Sequence, residues 1–450
     1  MVFAIVEKHN NSGANTLKPS FLTTLTCATS LLFSLTTSAA LSGDEQQMAD
    51  YIDDRKAAAM SLLEKSVNIN SGTMNFSGVR KVADQLMPEF EALGFDVWFE
   101  DGAAFNRAGH LIARIEGGKG PKMLLIGHLD TVFEPGSPFQ TFTRVDDKHI
   151  KGPGVADMKG GNIIMLEALR ALHAAGKLSS MNIMVVMTGD EELSGRPLAL
   201  SKKALIDGAK WADISLGFEN GDGNPATANV SRRGSVDWVL TVKGTPAHSS
   251  QVFKPTVGAG AIYEASRILI SFYDKLRSEQ LLTFNPGRIM GGTDVSHDEL
   301  NNSGSTFGKN NVVAEHAIVT GDIRAVSQEQ LVRVQHKMTA IVQQNLPQTS
   351  AVIEFGEGYP PLSPKPGNHE LLGIYSKVSQ DLGQGSVTAV NPLNAGAADV
   401  SFTSEYVEMA LDGLGMSGSG GHTVNETALV SALPAQAKRA AILMSRLSER

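Results

Sequence analysis

Two patterns of apolar residues predict the core of this chain. The segments at residues 122–126 and 182–187 are apolar after their first residue and predict strands that are buried on both faces, as in the centre of a parallel sheet. Residues 213–218 predict a further strand. Apolar residues at helical spacing predict helices around these strands. The predicted helices cover residues 44–68, 76–93, 160–175, 369–382 and 433–447. Strands that alternate with helices indicate an α/β fold with a mixed, mostly parallel sheet between helices.

The pattern changes in the middle of the chain. Residues 235–242 alternate between polar and apolar side chains, which is typical of a strand with one exposed face. Residues 257–275 and 327–344 predict two helices, and residues 311–325 predict two short strands about a turn. We therefore expect a small α+β domain, ferredoxin-like in its order of elements, to be inserted into the larger one. The predicted boundaries are a leader at 1–40, a main domain at 41–230 and 346–450, and the insertion at 231–345.

The N-terminal region has the features of an export signal. Residues 21–40 form an apolar run after Lys18 and end in the small residues Ser38, Ala39 and Ala40, as in a signal peptide that is cleaved. We therefore expect a periplasmic or secreted protein whose mature chain has no stable membrane insertion. A retained membrane anchor is the alternative, but threonines and serines dilute the apolar run.

Charge and cysteine content narrow the possible functions. Lys and Arg number 39 against 47 Asp and Glu, for a formal net charge of -8. An acidic chain without a basic stripe is not typical of a nucleic-acid-binding protein. The single cysteine, Cys27, lies in the predicted leader, so the mature chain would have no thiol. Any metal ligands would have to be His, Asp and Glu.

Ionisable residues follow the predicted strands at the points where the strands end. They are His128, Asp130, Asp157, Glu191, Glu192, Glu219 and His422. Because ligands bind beyond the carboxyl ends of parallel strands, we expect these side chains to converge. So many carboxylates would repel one another without cations, and a set of His and carboxylates suits zinc, or cobalt and manganese by substitution. Taken singly, each residue has an ordinary interpretation as a surface hydrogen bond, a solvated turn or a helix cap.

Five motifs make the pattern specific. In chain order they read GHLDTV, KGPGVADMKGG, TGDEELSG, GFEN and GGHTVNE. This order and spacing resemble the di-zinc exopeptidase family typified by carboxypeptidase G, aminoacylase and succinyl-diaminopimelate desuccinylase. The resemblance extends over the whole predicted mature chain, including an inserted lid or dimerisation domain after the fourth motif.

The resemblance implies a centre with two divalent metal ions per subunit, zinc first, with cobalt or manganese as alternatives. Asp157 would bridge the two ions. His128 and Glu219 would complete one site, and Glu192 and His422 would complete the other.

The resemblance also assigns roles outside the metal ligands. Asp130 would orient the imidazole of His128, and Glu191 would be the general base for a metal-activated water. His248 would reach an active site from the lid, in dimeric relatives that of the partner subunit, and help to stabilise the oxyanion. Asn311 and Arg324 would hold the free carboxylate of the substrate, since the planar guanidinium pairs both carboxylate oxygens. For His248 and Arg324 the alternatives are an exposed loop histidine and a strand residue paired with a neighbouring acid.

One segment departs from the family pattern. Relatives pass from Gly-Gly-Thr to Asn-Val-Val within a few residues, whereas here a polar segment separates Thr293 from Asn311. We expect this insertion to affect specificity and the geometry of a dimer.

The sequence therefore predicts a metal-dependent exopeptidase that hydrolyses the amide bond to a C-terminal amino acid. The resemblance favours a glutamate carboxypeptidase acting on small peptides or N-acyl amino acids, as a homodimer formed through the inserted domain. The alternatives are an N-acyl-amino-acid deacylase or dipeptidase with the same chemistry, a non-catalytic binding protein on the same fold, and a structural oligomer held together by the lid.

Overall fold

The computed structural model describes residues 41–118, 120–298 and 302–450, so the predicted signal peptide lies outside the described residues. The helices are α1 (Gly43–Val67), α2 (Phe76–Glu91), α3 (Lys159–Ala174), α4 (Leu198–Ser201), α5 (Lys203–Trp211), α6 (Ala261–Leu276), α7 (Gln328–Val342), α8 (Pro366–Asp381) and α9 (Ala432–Ser448). The strands are β1 (Asp96–Asp101), β2 (Gly109–Glu116), β3 (Lys122–His128), β4 (Thr143–Arg144), β5 (His149–Lys151), β6 (Asn182–Thr188), β7 (Ile214–Gly217), β8 (Thr227–Ala228), β9 (Val236–Lys243), β10 (Thr283–Gly292), β11 (Asp294–Asp298), β12 (Ser303–Phe307), β13 (His316–Arg324), β14 (Ser350–Phe355), β15 (Thr388–Ala389), β16 (Met409–Leu411), β17 (Gly418–Ser419) and β18 (Thr427–Leu429).

The main sheet is mixed and mostly parallel at its centre. Its six strands lie in the order β1-β2-β6-β3-β7-β16. β3 is parallel to both β6 and β7, and β16 is parallel to β7, whereas β2 is antiparallel to β1 and β6. The predicted fold class is therefore confirmed.

Alternate residues of β3 enter two different hydrophobic cores. Met123 and Leu125 pack into the core that includes α1, α3, α8 and α9. Leu124 and Ile126 pack into the core on the other face, which includes α5. Successive strand residues point to opposite faces of a sheet, so burial on both faces requires an unbroken apolar run, and this is why β3 has no polar alternation.

In chain order, the strands of a second, antiparallel sheet come between the two parts of the main fold. Its four strands lie in the order β10-β13-β9-β14, and α6 and α7 cover one face. It has its own hydrophobic core, in which the rings of Trp238 and Phe272 meet edge to face at 6.0 Å. β14 pairs with β9, so this sheet extends past the predicted boundary at residue 345. The assignment of a separate lid domain stays a prediction.

The prediction of two short strands over residues 311–325 is wrong. One continuous strand, β13, forms there and pairs with β9 and β10. Strand β10 is absent from the sequence-based prediction because it contains Pro286 and several glycines, which are typical of loops and edge strands. β10 is indeed at the edge of its sheet, and its register shifts between Pro286 and Arg288.

The polar insertion contains a hairpin. β11 and β12 pair with each other in an antiparallel two-stranded sheet that follows directly after β10. Most of its described side chains are exposed.

Two segments connect the sheets and pair with each other, and we call residues 231–235 and 359–363 the linking ribbon. Ser235 and Tyr359 exchange both backbone hydrogen bonds at 2.9 Å. Arg232 and Leu362 do the same at 3.1 and 3.0 Å. The ribbon joins the second sheet to the main sheet close to the edge at which the candidate site lies.

Among the described residues, no helix is both long enough and apolar enough to cross a membrane.

Candidate metal centre

The parallel strands deliver the predicted side chains to one edge of the main sheet. His128 is the last residue of β3. Glu191 and Glu192 lie in the loop that follows β6, and Glu219 follows β7 by two residues. Since β3 lies between β6 and β7 and is parallel to both, their carboxyl ends meet at the same edge. Asp157 comes just before α3.

The side chains form two groups that share Asp157. In the first group, Nε2 of His128 lies 3.2 Å from Oδ1 of Asp157 and 3.0 Å from Oε1 of Glu219. In the second group, Nε2 of His422 lies 3.1 Å from Oδ2 of Asp157 and 3.2 Å from Oε2 of Glu192. In each group the candidate ligand atoms lie within 4.8 Å of one another. The two oxygens of one carboxylate therefore face two different groups.

Asp130 orders the residues around His128. Nδ1 of His128 lies 3.1 Å from the backbone oxygen of Asp130 and 3.4 Å from its Oδ1, which directs Nε2 toward the first group. The carboxylate also accepts hydrogen bonds from the backbone N–H groups of Glu191 and Glu192, both at 3.1 Å, and from the hydroxyl of Thr73 at 2.6 Å. A single buried carboxylate thus fixes a histidine of one group and the loop that carries a glutamate of the other.

The electrostatics of the groups show a local excess of negative charge. Desolvation, together with the charge of Asp157, raises the pKa of Glu192 to about 7 and raises that of Glu219. Burial alone would lower the pKa of His128, but the charge of Glu219 and hydrogen bonds to the surrounding carboxylates raise it well above its usual value. Hydrogen bonds to Asp157 and Glu192 raise the pKa of His422 to about 11. These raised pKa values have a common cause, the close approach of several carboxylates in a buried site, which is an arrangement that bound cations would stabilise.

The donor set fits two divalent cations. Each group offers one imidazole nitrogen and two carboxylates, counting Asp157 in both, and zinc binds such nitrogen and oxygen donors. Oε1 of Glu192 is buried and has no hydrogen-bond partner, although a buried polar atom normally has one. A ligand atom directed at an ion would explain this unpartnered oxygen.

Glu426 holds the backbone that carries Asp157. Its carboxylate accepts hydrogen bonds from the N–H groups of Gly154, Ala156 and Asp157 at 3.0, 2.9 and 3.0 Å. Burial raises the pKa of Glu426 to about 7. Glu426 belongs to the fifth motif, but sequence reasoning gave it no role.

Glu191 lies beside the two groups without belonging to either of them. Desolvation and the neighbouring negative charge of Glu219 raise the pKa of its carboxyl well above the usual value, against the opposing effect of His128. A carboxylate with a raised pKa is suited to accept and return a proton near neutral pH.

The structure does not bring the other predicted residues into this cluster. Among the described residues, no hydrogen bond or ion pair connects His248, Asn311 or Arg324 to the two groups. His248 is exposed and contacts Ser250. The backbone N–H group of Ser249, the residue after His248, donates a hydrogen bond to the backbone oxygen of Asn311. Nε of Arg324 lies 2.9 Å from Asp322. Their roles in oxyanion and substrate binding stay predictions.

Sequence reasoning missed the side chains that hold the backbone next to Glu219. Arg232 forms an ion pair with Asp412, and its guanidinium donates to the backbone oxygen of Asn220 at 3.0 Å. Asp412 in turn lies 3.4 Å from the backbone nitrogen of Glu219. Neither Thr73 nor this pair lies in the five motifs, so no local signal could have identified them.

A mostly parallel sheet with two candidate ligand groups around one shared carboxylate is consistent with a metal-dependent hydrolase. The family model described as Peptidase family M20/M25/M40 matches residues 124–446, and this chain belongs to that family. The resemblance predicted from the five motifs is thereby confirmed, and the chain is a metallopeptidase-type hydrolase.

Three relatives match more than four fifths of the chain. Carboxypeptidase G2 of Pseudomonas sp. (strain RS-16) is 26% identical over 396 residues, which is 88% of this chain and 90% of the relative. The solved structure of aminopeptidase PepT from Bacillus cereus ATCC 10987 aligns with a TM-score of 0.66 at 20% identity, covering 87% of this chain and 98% of that one. The YXEP protein of Bacillus subtilis, described as a dinuclear metal binding peptidase from the M20 family, aligns with a TM-score of 0.61 at 16% identity over 88% and 99% of the two chains. At these identities the solved structures support the fold alone.

Proposed function

We propose that this protein is a zinc-dependent exopeptidase that hydrolyses the amide bond before a C-terminal amino acid, with glutamate as the preferred residue. The observation that carries the proposal is the position of Asp157 between the two groups, with Glu191 beside them. The preference for glutamate is supported by the similarity to carboxypeptidase G2 over 88% of the chain.

His128, Asp157 and Glu219 would hold one ion, and Glu192 with His422 and the second oxygen of Asp157 would hold the other. Two divalent ions in this centre would lower the pKa of a bound water and polarise the amide carbonyl of the substrate.

The residues of the chain then move the proton. Glu191 accepts a proton from the attacking water and delivers it to the nitrogen of the leaving amino acid. Asp130 fixes the position of Glu191 relative to His128. Its carboxylate contacts the backbone N–H group of Glu191, and its backbone oxygen contacts Nδ1 of His128. The raised pKa of Glu191 makes it a stronger base than an ordinary glutamate, which favours the first of these two proton transfers.

A release screen tests this proposal. The purified protein is offered dipeptides, N-acyl amino acids and pteroyl-glutamate conjugates, with zinc and again with a chelator, and the free amino acid is measured. We expect zinc-dependent release that is fastest for C-terminal glutamate. Faster release from N-acyl amino acids with other side chains would identify a deacylase instead, and faster release from plain dipeptides a dipeptidase.

The Glu191→Gln variant tests the chemistry separately from the substrate. We expect it to bind zinc as the wild type does and to lose turnover by roughly 100-fold or more, in the range of general-base catalysis. Zinc-dependent turnover close to that of the wild type would contradict the role of Glu191. Protein that neither binds zinc nor releases an amino acid from any substrate would favour the non-catalytic binding protein.

We further propose an exported homodimer that associates through the second sheet. The outer surface of α6 supports association, because it exposes apolar side chains that water solvates poorly: Ile262, Tyr263, Ile270 and Tyr273. Light scattering after size-exclusion chromatography should show twice the monomer mass, and Ile270→Asp should return it to the monomer.

N-terminal sequencing of the periplasmic fraction tests export, for which the support is the sequence of residues 21–40.

A further inference from the structure

The backbone of Glu191 is held by two side chains and by no regular secondary structure. Its N–H group donates to Oδ1 of Asp130 at 3.1 Å. Its carbonyl oxygen accepts a hydrogen bond from the hydroxyl of Tyr359 at 2.9 Å. Since Glu191 lies in the loop after β6, these two contacts fix the position of its Cα atom, from which the side chain extends. Asp130 belongs to the metal centre itself, but Tyr359 comes from a different part of the fold.

Tyr359 is fixed in place by the linking ribbon. Its backbone exchanges two hydrogen bonds with Ser235 across the ribbon. Its ring packs edge to face against Phe402, with the centroids 4.9 Å apart, and its hydroxyl also lies 3.0 Å from the hydroxyl of Ser194. A tyrosine held at its backbone, its ring and its hydroxyl has little freedom to follow a displaced loop. The loop is therefore expected to adjust to Tyr359 and not the reverse.

A buried charged network supports the same loop from below. The ammonium group of Lys202 is fully buried and lies 3.1 Å from Oδ1 of Asp190 and 3.0 Å from Oδ1 of Asp399. It also reaches the backbone oxygen of Asp190 at 3.3 Å, so each of its three N–H donors has an acceptor. The hydroxyl of Tyr359 lies 3.2 Å from Oδ1 of Asp399 and so joins this network. Buried polar networks with every member satisfied are rigid and specify one arrangement.

We propose that Tyr359 is a positioning residue for Glu191, holding the backbone of the general base so that its carboxylate meets the attacking water. This inference rests on the proposed function, in which Glu191 carries the proton. It assigns to the linking ribbon an indirect part in catalysis, because the segment that joins the two sheets also sets the location of the base. Tyr359 contacts neither candidate metal group, so its effect should appear in turnover and not in metal binding.

The Tyr359→Phe variant removes the hydroxyl and keeps the ring. We expect kcat to fall about tenfold, because a misplacement of about 1 Å can cost roughly 100-fold and the loss of one hydrogen bond should displace Glu191 by less than that. KM and the zinc content should stay at the wild-type values, since neither substrate contacts nor metal ligands are changed.

The matched control is Tyr375→Phe. Tyr375 is a buried tyrosine of α8 whose hydroxyl donates a hydrogen bond to Gln436 of α9 at 2.8 Å. This control measures what the loss of a buried hydroxyl does to the thermal midpoint alone, and we expect its kcat to equal that of the wild type.

The outcomes separate this inference from the proposed function. A tenfold lower kcat for Tyr359→Phe, with a midpoint shift no larger than that of Tyr375→Phe, supports positioning. A kcat within about twofold of the wild type would overturn it, since that is less than the expected cost of a misplaced base, and so would a loss of activity that only parallels loss of zinc or of folded protein. If Glu191→Gln is active, the proposed function itself fails, whatever Tyr359→Phe shows.

Discussion

At the scale of single residues, the centre depends on carboxylates with more than one partner. Asp157 faces both ligand groups, Asp130 holds His128 and the loop of the two glutamates, and Glu426 holds three backbone amides. A buried carboxylate is costly unless its oxygens are paired, so each of these side chains is stable only with its partners in place. Their replacement should therefore affect more than one contact at a time.

The Asp157→Asn variant should weaken both metal sites together. The amide removes the negative charge that both groups use and leaves one oxygen in place of two. We expect the bound zinc, measured by isothermal titration and by metal analysis after dialysis, to fall from two ions per chain toward none. The matched control is Asp146→Asn, because Asp146 also pairs with a histidine, His149 at 3.0 Å, but lies on the surface away from the centre. Retention of one tightly bound ion in Asp157→Asn would show that the carboxylate serves only one group.

At the scale of the helices, one ionic cluster connects three of them. Arg446 of α9 lies 2.6 Å from Glu45 in the first turn of α1 and 2.9 Å from Asp381 at the end of α8. Burial alone would raise the pKa of either acid, but the hydrogen bonds from Arg446, with that of Lys377 to Asp381, lower the pKa of both. A carboxyl whose pKa is lowered on folding stabilises the folded state above its unfolded pKa, and this stabilisation is lost as the pH falls.

The Arg446→Met variant should accordingly be less stable at neutral pH and lose this deficit in acid. We expect the free energy of unfolding at pH 7 to fall by about 1–2 kcal/mol, the range for partly buried charged hydrogen bonds. The difference from the wild type should shrink below about pH 4, where both carboxyl groups bind protons in the unfolded chain. Urea titrations at several pH values measure this difference. Arg450→Met is the control, because its pair with Glu370 is exposed, and a pH-independent difference for Arg446→Met would contradict the mechanism.

Some of the strands and helices could be predicted from the sequence, and others could not. The buried strands β3 and β6 and the helix α3 are predictable because burial on both faces, or along one broad face, leaves a strong apolar pattern. β10 and β13 carry weaker signals, because β10 is an edge strand, which tolerates Pro and Gly, and many side chains of β13 are only partly buried. The residues of the two candidate ligand groups are predictable because each lies in one of five short motifs. Thr73, Tyr359 and Lys202 are not, because each reaches the centre through tertiary contacts that no local pattern records.

At the scale of the whole molecule, the polar insertion is an addition to the edge of the second sheet. The strands β11 and β12 pair mainly with each other, and most of their described side chains are exposed. Few buried apolar groups depend on them, so the hairpin contributes little to the stability of the fold.

Replacing residues 294–307 by a short Gly-Ser turn should leave the protein folded and able to bind zinc. We expect the thermal midpoint to change by less than about 3 °C, since most of the described side chains that are removed are exposed. If the hairpin affects specificity as predicted, the ratio of kcat/KM values between C-terminal glutamate and other residues should change. If this ratio is unchanged across the release screen, the hairpin does not determine the specificity of the enzyme.

The shared carboxylate of Asp157 also has a thermodynamic consequence for metal loading. Because one carboxylate would serve both ions, the free energy of binding at one position would depend on whether the other is filled. Whatever factor the first ion imposes on the affinity for the second, the second imposes the same factor on the first. The two affinities therefore cannot evolve independently: a substitution that tightens one ion changes the binding isotherm of both, and the apoenzyme should load its ions cooperatively or in two distinct steps.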